Sequence, residues 1–338
     1  MKYASIFITA ITVGALLYTE MSHITKDVSH VPHHIRAHFL RWKVQQSKFY
    51  QTPSEDNYRL SVFHKNVLHI NAHNARSTSF KMAVNKFADL TSEEFTAMYA
   101  SSLTVPETEE EVVSNLETGD LPATVDWTKK GAVTPIGNTG PKCHTAWAFS
   151  AAGAMEGLRA IQGHGLIKLS EQQLVDCTRP YSNYGCAGGY AYRSFKYVIK
   201  NGIQTYASYP YTAQDGTCHG KLADKAYQIQ GYHIVPKYNN PQLLAAVAQQ
   251  PTTTVVDATG IQFYKSGVLD HGCTQNVSHT ILLVGYGTDK IPYWKAKNCW
   301  GKDWGENGYL RVQRAIPNGA PSECGVGVFC HYPTGGHL

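Results

Sequence analysis

The residues with the most chemical promise lie in three places. The first is Asn138-Thr-Gly-Pro-Lys-Cys143-His-Thr-Ala146-Trp147, where a Gly/Pro loop runs into an apolar helical pattern. A helix start presents free backbone N–H groups and the positive end of the helix dipole, so it favours an anion. A thiol held there has a depressed pKa and becomes a ready nucleophile. The second place is Ser278-His279, a histidine just ahead of the apolar run Thr280-Ile-Leu-Leu-Val. The third is Asn298, within Lys297-Asn298-Cys299-Trp300. A base oriented by a third group is the general arrangement behind an activated nucleophile. The residue that opens the helix, however, is Ala146, and a methyl group has no nucleophilic atom.

The elements that must position these residues can be read from periodicity. Residues 147–161 are apolar almost all round, which predicts a buried helix. Further helical patterns cover 170–175 and 191–200. Residues 227–313 alternate or carry β-branched runs, such as Tyr309-Leu-Arg-Val, punctuated by Gly and Pro, which predicts strands. The front of the chain differs. Residues 33–100 read as helical, with Phe39, Trp42, Phe49 and Tyr50 expected on one face of a first helix. A second helix is expected to start at Ser54 as N-cap. Within it, Glu55, Arg59, Phe63, Asn66, Ile70 and Asn74 recur at offsets of three and four, which places them on neighbouring faces.

Composition narrows the function classes. Of 338 residues, 43% are hydrophobic and 16% charged, a globular balance. The net charge of +5 is modest and the basic residues are dispersed, which argues against a nucleic-acid partner. Sixteen histidines are scattered without spacings such as HExxH or paired CxxC, so neither a metal nor any other cofactor is expected. All eight cysteines lie between Cys143 and Cys330. An even count in one half predicts a disulfide-bonded domain made in an oxidising compartment, although eight cysteines leave 105 pairings open. Residues 3–18 are apolar behind a lysine at position 2, shorter than the roughly 20 residues of a membrane span and consistent with a secretory signal. A membrane association is expected only if this segment is retained. Glu107, Glu109, Glu110, Glu111 and Glu117 mark an acidic linker ending at Asp120, read as structureless and open to cleavage. Asn276-Val-Ser278 is an N-glycosylation sequon at Asn276.

Taken together, the motifs resemble a known family. Glu55-x3-Arg59-x3-Phe63-x2-Asn66-x3-Ile70-x3-Asn74 is similar to the ERFNIN motif of cathepsin L-like propeptides. Ala83-x-Asn85-x-Phe87-x-Asp89 resembles the second propeptide motif, with Ala83 in place of the usual glycine. Trp147-Ala-Phe-Ser resembles the active-site signature of papain-family cysteine proteases. Ser278-His279 with Val284-Gly-Tyr-Gly287 resembles their histidine strand, and Asn298-Cys299-Trp300-Gly-x-x-Trp304 their asparagine loop. The resemblance covers residues 35–338.

This resemblance implies an α+β fold with two lobes, a helical left lobe and a β-rich right lobe, behind a small helical inhibitory propeptide domain. The implied divisions are a signal at 1–20, a propeptide at 21–100, a linker at 101–120 and a peptidase domain at 121–338. It implies that Asn298 orients His279 and that Trp300 shields their hydrogen bond. It implies that Gly188 and Gly189 admit a peptide backbone, and that Tyr190, Ala191 and Phe329 line an apolar pocket made shallow by Phe329. The implied disulfides are Cys143–Cys186, Cys177–Cys218 and Cys273–Cys324, with Cys299 and Cys330 left over. The implied surroundings are the secretory pathway, ending in a lysosome or vacuole or outside the cell.

Three departures cluster at the helix start. Ala146 stands where the family has its nucleophilic cysteine. Thr139 stands where it has the glutamine that completes the oxyanion hole. The loop from Gly140 to Cys143 carries one extra residue. The reading that follows is a pseudo-protease that binds a peptide or protein, its own propeptide included, without cutting it. The alternative is an ordinary cysteine endopeptidase precursor in which cysteine was changed to alanine; the codon at position 146 in the source gene separates the two.

Overall fold

The computed structural model describes residues 28–76, 79–100 and 112–338. The apolar run at 3–18 and the acidic residues 107–111 lie outside the described residues. The chain divides into two compact units, one of residues 28–76 and 83–93 and a larger one of 79–82 and 94–338 within the described span.

The smaller unit is built on helices α1 (His33–Gln45) and α2 (Pro53–Ala75). The α2 start is capped by Thr52, whose Oγ1 accepts the Glu55 N–H at 3.1 Å, rather than by Ser54. Pro53 occupies the first helical position, and Glu55 and Asp56 favour the positive end of the dipole. Phe39, Trp42 and Phe63 fill the core with Ile35, Leu60, Val67 and Ala88. Phe49 departs from expectation: α1 ends at Gln45, and Phe49 is 86% exposed in the following loop. The periodic motif has a clear physical use. Arg59 Nη1 donates to the Asp89 carbonyl and Asn66 Nδ2 to the carbonyls of Ala88 and Leu90, each at 2.9 Å. Helix α2 therefore satisfies the backbone of the 85–90 turn. The buried Asp89 carboxylate in turn receives Lys48 Nζ and the Tyr50 hydroxyl.

The larger unit holds α3 (Ser92–Tyr99, from Glu94 onward), α4 (Ala146–Arg159), α5 (Glu171–Cys177), α6 (Ala191–Asn201) and α7 (Asn240–Gln249). Its strands are β1 (Phe80–Met82), β2 (Val125–Asp126), β3 (Gln228–Val235), β4 (Thr252–Val256), β5 (Tyr264–Leu269), β6 (His279–Asp289), β7 (Ile291–Lys297), β8 (Tyr309–Gln313) and β9 (Cys330–His337). They form one sheet in the order β1-β5-β8-β7-β6-β4-β9-β3, with β2 also on β6; only β5 and β8 pair in parallel. Strand β6 is buried along its first nine residues, which explains its unbroken apolar run.

Helix α4 is the seam between helices and sheet, touching α5 and α6 on one side and β6 and β9 on the other. Its alanines 148, 151, 152 and 154 are buried and let the neighbours approach closely. The regular helix ends at Arg159, and Ile161 is 40% exposed, so the buried pattern stops two residues earlier than expected. Ser170 caps α5 by accepting the Gln173 N–H at 2.9 Å. Disulfides join Cys143–Cys186, Cys177–Cys218 and Cys273–Cys324; Cys299 and Cys330 are buried and unbridged.

The stretch before the peptidase domain is not structureless throughout. Ser114 N–H donates to the Ile234 carbonyl and Ile234 N–H to that of Val112, so residues 112–114 pair with the open edge of β3. Gln242 on α7 then holds both the N–H and the carbonyl of Leu116. An unpaired sheet edge is a strong backbone template, and it captures this segment despite its polar composition. Among the described residues, no helix is long and apolar enough to cross a membrane.

Candidate active site

The start of α4 is locked into the fold before any ligand is considered. The Cys143–Cys186 bridge and the bond from His144 N–H to the Cys186 carbonyl fix one side of the loop. On the other side, Thr139 N–H donates to the Cys299 carbonyl at 3.0 Å and Gly301 N–H to that of Gly137 at 2.9 Å. The 137–139 loop is thereby zipped to the 299–301 loop. Thr139 is buried, and its hydroxyl lies 3.3 Å from the Gly140 carbonyl and 3.5 Å from that of Cys299, turned onto backbone. Thr145 precedes the helix, with its hydroxyl 2.7 Å from that of Tyr211. Tyr211 also donates to the Thr139 carbonyl, an anchoring role that no sequence signal marked.

Strand β6 delivers His279 at its first residue, and the loop after β7 delivers Asn298. The His279 Nε2 lies 2.8 Å from Asn298 Oδ1, which also accepts the Cys299 N–H. The fully buried Trp300 stands over the imidazole with ring centres 4.6 Å apart, and Trp304 packs edge-on behind it. Burial pushes the His279 imidazole down to about 4, and the nearby His144 acts in the same direction. Bonds to Asn298 and to the Tyr99 carbonyl oppose that fall without reversing it.

Within the same unit, the C-terminal turn of α3 rests on this site. The Tyr99 carbonyl faces His279, and those of Ala97 and Met98 face His144, so that each favours the charged form of the imidazole it faces. The last carbonyls of a helix have no partners inside it, which leaves them facing the two imidazoles. The Phe95 ring meets Trp300 edge-on at 5.3 Å, and Tyr99 does so at 6.2 Å. His144 was invisible as a site residue from the sequence, because its role depends on a helix end brought there by the fold.

Tyr190, Ala191 and Phe329 line one cavity of about 10 Å³ together with Val255 and His331. Phe329 stands edge-on to Tyr190 and, at 4.4 Å, to His331. Gly188 adopts φ 121°, a conformation open to glycine. Gly189 answers to packing within the chain: a Cβ there would come within 2.5 Å of Asn183 Oδ1 and 2.9 Å of Trp147. Asn276 is exposed in the loop ahead of β6.

Ala146, Phe149, Glu171, Lys297, Asn298 and Cys299 line a second cavity of about 20 Å³, room for roughly one water. Burial, then the neighbouring Glu156, pushes Glu171 up to about 7, and burial pulls Lys297 down. Cys143 is held in its disulfide, so Cys299 is the one thiol on this cavity.

A helix start, an imidazole with its amide partner and a preceding helical unit define the precursor of a papain-type peptidase. Residues 121–334 match the papain family cysteine protease domain, and residues 39–95 match the cathepsin propeptide inhibitor domain (I29). The senescence-specific cysteine protease SAG39 of Oryza sativa subsp. japonica is 41% identical over 303 residues, covering 87% of this chain and 88% of that protein. Recombinant stem bromelain precursor superposes with a TM-score of 0.82 at 36% identity, over 89% of this chain and 99% of its own. Digestive procathepsin L 3 of Tenebrio molitor larval midgut does so with a TM-score of 0.77 at 35% identity, over 89% and 99%. The chain belongs to the papain family of cysteine proteases and carries that family's propeptide domain ahead of its peptidase domain.

Proposed function

We propose that this chain is a papain-family pseudo-protease, a protein that holds a peptide or protein segment in its cleft without cutting it. The observation that carries the reading is the methyl group of Ala146 at the start of α4, where the family's chemistry needs a thiolate. Of the neighbouring substitutes, Cys143 is held in a disulfide and Thr145 is bonded to Tyr211, which leaves Cys299 as the one thiol to test. Thr139, at the oxyanion position, turns its hydroxyl onto carbonyls, which leaves no side-chain donor in the glutamine's role. Losing one such donor costs roughly a hundred- to thousandfold in rate, and losing the nucleophile on the order of a millionfold.

The first occupant of the cleft is the chain's own prosegment. Residues 95–99 set two aromatic rings on Trp300 and turn their last carbonyls toward His144 and His279. Without a nucleophile there is no self-cleavage, so removal of the prosegment needs another protease. Tyr190, Ala191 and Phe329 would then receive an apolar side chain of the ligand, beside Gly188 and Gly189. Three disulfides fit an oxidising secretory route, ending in a vacuole, a lysosome or outside the cell. A glycan on Asn276 would lie near the cleft rim. The test is to incubate processed, purified protein with fluorogenic cathepsin L-type peptides. No turnover is expected; turnover abolished by an epoxide thiol inhibitor would refute the reading.

A further inference from the structure

Seven of the sixteen histidines fall in residues 28–75, and the fold gathers three of them. The turn ahead of α1 is closed by bonds from Val31 N–H to the Val28 carbonyl and from Ile35 N–H to that of Pro32. It displays His30, whose ring lies 6.2 Å from that of His64 on α2. His34, in the first turn of α1, lies close enough to His64 to act on it electrostatically, as His30 does. His38, one turn further along α1, is committed elsewhere, with its ring edge-on to Phe63 at 5.2 Å. Val31 and Ile35, next in sequence to His30 and His34, share one core with Leu60, Phe63 and Val67 of α2, so the backbones that carry the three histidines are fixed relative to each other.

We propose that His30, His34 and His64 form a surface site for a divalent transition-metal ion that prefers nitrogen donors, such as Zn²⁺, Ni²⁺ or Cu²⁺, with water completing the coordination. Imidazole suits these ions, and no preformed acidic cage is required. Two imidazoles on one tetrahedral zinc, at Zn–N distances of about 2.0–2.1 Å, have ring centres roughly 5 Å apart. The 6.2 Å separation of His30 and His64 thus calls for a closure of about 1 Å. His30 and His34 are exposed and turn inward at little steric cost. Among the described residues, the one trio of donor atoms already within 4.8 Å of one another is Cys273, Glu323 and Cys324, and its two sulfurs are joined in a disulfide. The histidine site was hidden from sequence spacing because His64 lies thirty residues beyond His34 in the chain and is brought in by helix pairing. An ion there would pin the 28–32 turn to α2.

The experiment uses untagged, full-length protein titrated calorimetrically with Zn²⁺ and, separately, Ni²⁺. One ion per chain is expected, with a melting temperature that rises on addition and returns with a chelator. His30→Ala and His64→Ala should each weaken binding at least tenfold. His69→Ala, roughly 140° further round α2 than His64, should leave it unchanged. His30 lies outside any helix or strand, so His30→Ala keeps the fold even where His64→Ala fails to. The proposal is overturned if the protein takes up no ion, if His30→Ala binds as tightly as the parent, or if His69→Ala weakens binding equally.

Discussion

Restoring the sulfur alone should give a poor enzyme, and the size of the shortfall follows from Thr139. In Ala146→Cys the thiol would stand at the α4 start, where free N–H groups favour its thiolate. The imidazole and its orienting amide are in place, with His279 and Asn298 2.8 Å apart. The oxyanion side is not. The Thr139 hydroxyl sits 3.3 and 3.5 Å from two backbone carbonyls, which occupy it. One missing oxyanion donor is worth roughly 2.7–4 kcal/mol in the transition state, or about a hundred- to thousandfold. The assay compares kcat/KM for the parent, Ala146→Cys, Thr139→Gln and the double variant on a fluorogenic peptide, each after the prosegment is removed. The parent and Thr139→Gln should be silent, and the double variant should exceed Ala146→Cys by roughly two orders of magnitude. A built-in check is His279 itself. A thiolate beside it favours the imidazolium, so its pKa should rise well above about 4 in Ala146→Cys, as read by NMR. Equal rates for the single and double variants would refute the assignment of the defect to Thr139, and an unmoved His279 would refute the placing of residue 146 beside it.

Other perturbations separate the parts of the structure. His144→Gly removes the ring that faces the Ala97 and Met98 carbonyls; with one N–H the loss is at most one bond of about 0.5–1.5 kcal/mol, so hydrogen exchange at residues 95–100 should rise about two- to tenfold. Because burial holds His279 and His144 below the usual imidazole value, the unfolded chain binds more protons than the folded one as pH falls below about 6.5. The stability they contribute is complete above that pH and is lost as pH falls toward about 4, on the order of 3 kcal/mol for His279, readable as a falling melting temperature. Asn66→Ala leaves the Ala88 and Leu90 carbonyls without their donor and should destabilise the smaller unit by about 1–3 kcal/mol in urea melts. On the proposed reading, parent and Cys299→Ser are equally silent toward fluorogenic peptides; turnover in the parent that Cys299→Ser abolishes would identify Cys299 as a displaced nucleophile.

The parts of the fold that the chain spells out locally were legible. The helical pattern expected over 191–200 is α6 (Ala191–Asn201), which Gly202 ends at φ 67°. The apolar run of β6 and the alternation at 309–312 read as strands for the same reason: each pattern repeats the period of the element it forms. What depended on distant partners was not legible. Thr52 takes the cap of α2 because Pro53 fits the first helical turn, which shifts the start before Ser54. Phe49 leaves the aromatic face because α1 stops at Gln45, while Tyr50 returns to the core through Asp89, thirty-nine residues away. Val112 and Val113 gain their order from an open sheet edge more than a hundred residues later. At the site, residue types pointed to His279 and Asn298, whereas His144, Tyr211 and Tyr99 acquire their roles only through tertiary contact.

An intact imidazole–amide pair is weak evidence for catalysis in this chain, because nothing that builds it involves residue 146. His279 is fixed as the first residue of β6, in register with Val256 of β4. Asn298 is fixed by the Gly308 carbonyl, which its N–H bonds, and by the Cys299 N–H, which its side chain accepts. Trp300 is fixed by Trp304 and by the bridge from its loop to Asn138. All of these persist with a methyl at position 146. The imidazoles, moreover, also face the chain of residues 97–99, a contact unrelated to proton transfer. Removing His279 should therefore loosen residues 95–99 in the parent protein, a readout that does not depend on activity. In His279→Ala residues 95–99 lose the ring that the Tyr99 carbonyl faces, and for a contact worth about 0.5–1.5 kcal/mol hydrogen exchange at residues 95–100 should rise about two- to tenfold. Unchanged exchange would mean that the pair is idle, a remnant of chemistry with no present structural part.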